Sequence, residues 1–119
     1  MRSFFSNDLR LLNLQRRTLM AGKQDDLSGC TFEVHGKVQG VFFRKYAAEF
    51  AKVNGLVGWI MNTESGTVVG EFEGPSVSVD AFKHWLRNIG SPKSQIDRCQ
   101  FKNERRISQL HFENFNIRR

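Results

Sequence analysis

An α+β sandwich, with one mixed sheet and two helices on one of its faces, is the fold class this 119-residue sequence predicts. Three observations carry that expectation. Apolar and polar residues alternate through CTFEVHG (30–36), and short β-rich runs come after it at 56–63 and 67–74. Two other stretches, near 42–55 and 76–90, repeat their apolar residues at helical period. The segments come in the order strand, helix, strand, strand, helix, strand.

In the first strand Phe32 and Val34 share one face, and Thr31, Glu33 and His35 the other. FFRKYAAEFAKVNG then places Phe43, Ala47, Phe50 and Ala51 on one side of a helix, which Asn54-Gly55 ends as a left-handed cap. LVGWIMNT is a second strand, and Glu64-Ser65-Gly66 turns it into a third, TVVGEFEG. A second helix starts after Gly74-Pro75. Val79, Phe82, Leu86 and Ile89 recur along it, Trp85 widens the stripe, and Gly90-Ser91-Pro92 stops it. A fourth strand covers roughly Arg98 to Arg106. A short last strand uses Phe115 to Ile117, with His111 and Phe112 in the loop before it. Right-handed crossovers make the first two strands parallel with another strand inserted between them. This is the split βαβ, ferredoxin-like arrangement (βαββαβ), with a mixed, mostly antiparallel sheet.

The length allows one domain with a tail, and 39% apolar residues with 11 Phe suffice for one modest core. No run of 18 or more apolar residues is present, so no membrane span is expected. Cys30 and Cys99 are too few for a disulfide framework or a cysteine metal site. The net charge of +6 favours anionic partners. Half of it sits in residues 1–22, where Arg2, Arg10, Arg16 and Arg17 face only Asp8. Residues 1–28 read as an N-terminal extension, disordered or targeting, and 29–119 as the folded domain. The Arg-rich, acid-poor start resembles an organelle transit peptide. The expected location is therefore cytoplasmic, or mitochondrial if that segment acts as a transit peptide.

The stretch GKVQGVFFRKYAAEF (36–50) holds the main chemical signal. Lys37–Phe42 joins the end of the first strand to the start of the first helix, where unpaired N–H groups and the helix dipole attract anions. Gly36 and Gly40 let successive N–H groups converge on one point. Arg44 lies in the first helical turn, and helical side chains lean back toward the N-terminus, so its planar fork reaches the same point. The residues alone fit two readings: an anion cradle, and a structural turn beside a surface arginine. Asn62 ends the second strand at the same edge of the sheet, where ligands of such sheets tend to bind, and it equally suits ordinary turn chemistry.

Other chemistries lack their signals. His35, His84 and His111 have no ligand spacing, and the acids form no metal pattern. No Ser, Cys or Asp is paired with a base, and no phosphate-binding GxxxxGK[ST] motif is present. An enzyme built this way has a cradle, a cation and an amide, which suits a substrate already prone to break.

GKVQGVFFRKYAA, GLVGWIMNTESGTVVGEFEGP and WLRNIGSPKSQID together resemble the acylphosphatase family, from about Gly29 to the end of the chain. The resemblance implies the same ferredoxin-like sandwich. It also implies hydrolysis of the carboxyl–phosphate bond of acyl phosphates, without metal or cofactor. By position it implies that the N–H groups of Gln39, Gly40, Val41, Phe42 and Phe43 bind phosphate, that Arg44 holds it, and that Asn62 positions water. The implied partners are a small acyl phosphate and inorganic phosphate as inhibiting product, for a monomer. The extension is longer than in compact members of the family. A non-catalytic phosphate-binding regulatory module would show the same cradle. An RNA-recognition domain shares the element order, but TVVGEFEG lacks the aromatic pattern of that class, so no nucleic-acid partner is expected.

Overall fold

The computed structural model describes residues 26–119, and the expectations for the Arg-rich start lie outside them. The elements are β1 (Leu27–Lys37), α1 (Phe43–Val53), β2 (Val57–Asn62), β3 (Val68–Pro75), α2 (Ser76–His84), a wider π-helical turn (Trp85–Ile89), β4 (Gln95–Ile107) and β5 (Phe115–Arg118). The five strands form one sheet in the order β4-β1-β3-β2-β5. All neighbours are antiparallel except β2 and β5. Both β1 and β2 run antiparallel to β3, so they are parallel to each other with β3 between them, as the crossover rule requires.

β1 starts earlier than its visible alternation. Leu27, Ser28 and Gly29 look like the end of a linker, yet they pair with Pro75, Gly74 and Glu73. The sheet therefore reaches back past the boundary expected at Gly29. A β-carbon on Gly29 would lie 3.0 Å from Cγ of Glu73 and 3.1 Å from the carbonyl of Phe72. Its glycine permits close approach of two strands instead of supplying flexibility.

The core lies between the sheet and the two helices. Phe32, Val34, Ile60, Val68 and Phe72 come from the strands, and Phe43, Ala47, Ala51, Phe82 and Leu86 from the helical segments. Phe82 is its hub, packing edge-on against Phe72 at 4.8 Å and stacking on half-buried Phe50 at 5.8 Å. The alanines of α1 let that helix sit low on the sheet, leaving room for these rings.

One sequence expectation fails in this layer. Ile89 belongs to the apolar stripe by simple helical period, yet it is 55% exposed. The helix widens at Trp85–Ile89, and the N–H of Gly90 donates to the carbonyl of Trp85, five residues back. An extra residue in the turn changes the angle at which later side chains leave the helix, so Ile89 swings to solvent.

The opposite face of the sheet carries a buried acid. Glu73 is fully buried; the N–H of His111 donates to its Oε1 at 2.6 Å, and His111 Nδ1 lies 2.7 Å from its Oε2. Arg105 bridges Oε2 of Glu73 (3.3 Å) and Glu71 (2.8 Å). The β4–β5 loop is thereby clamped over the end of β3.

Candidate active site

The C-terminal ends of β1, β2 and β5 meet at one edge of the sheet, because β5 is parallel to β2 and β2 to β1. The segment leaving β1 is anchored by two buried side chains, Val38 and Val41. Between and after them, Gly40 (φ 75°) and Phe42 (φ 59°, ψ 26°) adopt left-handed backbone, while Val41 does not. Such alternation curls consecutive peptide N–H groups onto one concave side. Nothing lies within 4 Å of a β-carbon built on Gly40, so glycine is required there for its backbone angle and not for space. Phe42 has no such excuse. A non-glycine residue held left-handed costs on the order of 1–2 kcal/mol, and its ring is 72% exposed, so little packing repays it. It forms the N-cap of α1, and its carbonyl accepts from the N–H of Tyr46. Among the described residues, no carbonyl or side chain accepts from the N–H groups of Gly40, Val41 or Phe42.

Arg44 occupies the first turn of α1, half-buried, and its guanidinium returns toward this loop. Nη1 donates to the carbonyl of Arg118 at 3.5 Å, the outer limit of a hydrogen bond. Most of the fork is left for something else. Asn62 is the last residue of β2 and pairs with Val68. Its Oδ1 is buried without a hydrogen-bond partner among the described residues. An unpaired buried acceptor costs about 1–3 kcal/mol, so folding alone gives no reason to keep an amide there.

Gln39, Gly40, Phe42, Phe43, Arg44 and Asn62 line one cleft of about 320 Å³. Every residue anticipated from sequence except Val41 thus borders it. Val41 turns its side chain into the core and leaves only its backbone on the loop. The cleft also holds Lys45, Ile117 and Arg119, which sequence reasoning does not single out. Nor does it assign a task to the side chain of Gln39, whose Nε2 donates to the carbonyls of Thr63 and Thr67, both at 2.9 Å. Those partners lie 24 and 28 residues away, so no local pattern could have found them. Thr63 and Thr67 close the β2–β3 turn on themselves through their hydroxyls at 2.7 Å, and the Thr67 hydroxyl donates to Glu33 at 2.7 Å.

Chemically the cleft offers converging N–H donors, a planar cation and a neutral amide. That set suits a tetrahedral oxyanion with a small nucleophile beside it.

Comparison with known proteins points the same way. The acylphosphatase family model matches residues 30–117. The chain is 50% identical over 99 residues to acylphosphatase-2 of Mus musculus, covering 83% of this chain and 93% of that protein. It is 50% identical over 100 residues to acylphosphatase-1 of Gallus gallus, covering 84% of this chain and all of that one. An acylphosphatase structure from Coxiella burnetii superposes with a TM-score of 0.70 at 28% identity, over 83% of this chain and 100% of that one.

Proposed function

We infer how the cleft works from the premise that this chain belongs to the acylphosphatase family and hydrolyses the carboxyl–phosphate bond of acyl phosphates. The phosphoryl group sits in the curled loop. Backbone N–H groups of Gln39, Gly40, Val41, Phe42 and Phe43 and the fork of Arg44 hold its non-bridging oxygens. Phosphoryl transfer is loose, so holding that charge and aligning the nucleophile supply most of the catalysis.

Asn62 orients the attacking water. A neutral amide is a poor base, so it aims the oxygen without taking its proton. The water oxygen bonds to phosphorus as the bond from phosphorus to the acyl oxygen breaks. The leaving carboxylate keeps the electron pair and is stable as an anion, so no general acid is needed. The proton passes to a phosphoryl oxygen, and the products are carboxylate and inorganic phosphate. This scheme uses no metal and no cofactor, and free phosphate inhibits by occupying the same cradle.

The observation that carries the reading is the pairing of Arg44 with an unpartnered, buried Asn62 Oδ1 on one cleft. A site that only bound phosphate would have no use for the amide. The test is hydrolysis of benzoyl phosphate by the purified chain with a chelator present. Turnover that survives chelation, with competitive inhibition by phosphate, is expected. Phosphate binding without hydrolysis would leave a binding module in its place.

A further inference from the structure

Three cations border the cleft, while the phosphoryl group accounts for only one of them. Besides Arg44, the lining includes Lys45 and Arg119. Neither makes an ion pair among the described residues, and no acidic side chain lines the cleft with them. Unpaired cations gathered in a concave site raise the local concentration of anions and select among them.

Strand alternation explains why Arg119 faces this way. Its neighbour Arg118 lies over the ring of Trp59 at 4.3 Å. Trp59 is one residue from Ile60, which is fully buried beneath the helices, so its ring is on the other side of the sheet. With Arg118 on that open face, Ile117 and Arg119 fall to the helix side, toward Arg44. Lys45 comes directly after Arg44 on α1 and approaches from the helix. Both residues are exposed and line the cleft, so their charges are open to an anion that enters it. Ile117, 39% exposed, and Phe42 give the cleft an apolar wall.

We propose that Arg119, assisted by Lys45, is a specificity-determining residue of this enzyme, selecting acyl phosphates whose acyl chain ends in a carboxylate. This rests on the placement of phosphate given above. The phosphoryl group at Arg44 fixes one end of the substrate. A short aliphatic chain lies along Ile117 and Phe42, and its far anionic group meets the other two cations.

The test compares succinyl phosphate with butyryl phosphate, which carries a methyl where the first has a carboxylate. Exposed cation–carboxylate pairs contribute about 0.2–1 kcal/mol each, so two should favour succinyl phosphate by up to roughly thirtyfold in kcat/KM at low salt. Arg119→Gln should cut that ratio by about fivefold, and the wild-type ratio should shrink as ionic strength rises. Equal kcat/KM for the two substrates, or an unchanged ratio in Arg119→Gln, would overturn the proposal while the activity stands. Failure to hydrolyse either substrate would overturn the reading of the cleft itself.

Discussion

The side-chain amide of Gln39 donates to the carbonyl of Thr63 at 2.9 Å, and Thr63 is the residue after Asn62. A second bond from the same nitrogen reaches Thr67. One side chain thus ties the loop after β1 to the turn after β2, and so holds the curled loop at a set distance from the Asn62 amide. Gln39→Ala removes two hydrogen bonds, although the Thr67 carbonyl keeps the N–H of Thr63 and the Thr63 carbonyl that of Gly66, and should lower stability by about 1–3 kcal/mol. It should also lower kcat, on the order of tenfold or more, because misplacing a positioned group is costly even when binding survives. Urea unfolding, phosphate affinity and turnover on one preparation check this. Unchanged kcat per folded molecule would reduce Gln39 to a structural strut.

Arg44→Lys keeps the charge and loses the fork. Nearly all turnover and phosphate inhibition should disappear while the melting temperature holds, because an ammonium cannot span two phosphoryl oxygens. Wild-type activity in this variant would show that the phosphoryl group sits elsewhere.

Asn62→Ala should behave differently from Arg44→Lys. Substrate still meets the loop and the guanidinium, so phosphate inhibition is retained. Turnover should fall on the order of 10²–10³, by analogy with removal of one oxyanion donor. The kinetic signature is a parallel fall in kcat and kcat/KM. Stability should not fall much, since the Oδ1 makes no protein hydrogen bond. A variant that lost stability but kept its activity would make Asn62 an ordinary turn residue.

Glu73 tests a part of the fold remote from the chemistry. It lies five residues along β3 from Val68, the partner of Asn62, or roughly 17 Å at the usual strand rise. Glu73→Ala removes the contacts of His111 and one of the two partners of Arg105, which keeps Glu71 at 2.8 Å, and should cost roughly 1–3 kcal/mol through the lost hydrogen bonds. The folded fraction should keep full kcat. A large loss of kcat in folded protein would mean that the clamp over β3 supports the cleft.

The two cysteines predict an alkaline limit. Burial pushes the Cys30 and Cys99 thiols from about 9 up to about 11. Below pH 9 both folded and unfolded chains carry the proton, and the thiols leave stability unaffected by pH. Between pH 9 and 11 the unfolded chain releases protons that the folded one retains, so stability falls as pH rises. The loss is roughly 2 kcal/mol per thiol by pH 11. Denaturation against pH should show this slope in the parent and a flatter one in Cys30→Ala/Cys99→Ala. Thiol reagents should label the native protein slowly at neutral pH.

Much of this molecule was legible along the chain because its signals are local. Alternation around Phe32 and Val34 and the helical spacing of Phe43, Ala47 and Ala51 both say which side is buried, since strand and helix periods are set by backbone geometry. Arg44 and the Gly40 loop stand out because a strand-to-helix junction and an arginine one turn in are neighbours in sequence. Asn62 could be named from the rule that parallel strands end at one edge. What only the tertiary structure decided depends on contacts between distant segments. Gln39 meets Thr63 because β1 and β2 flank β3, and no period connects residues so far apart. Arg119 borders the cleft because β5 adds to β2 in parallel and Arg118 takes the face of Trp59. Ile89 is exposed because one wider turn shifts its angle, and Gly29 belongs to the sheet because it pairs with Glu73, whose side chain leaves no room for a β-carbon there. Local pattern determines which face of an element is apolar; strand order and register determine which side chains share a site.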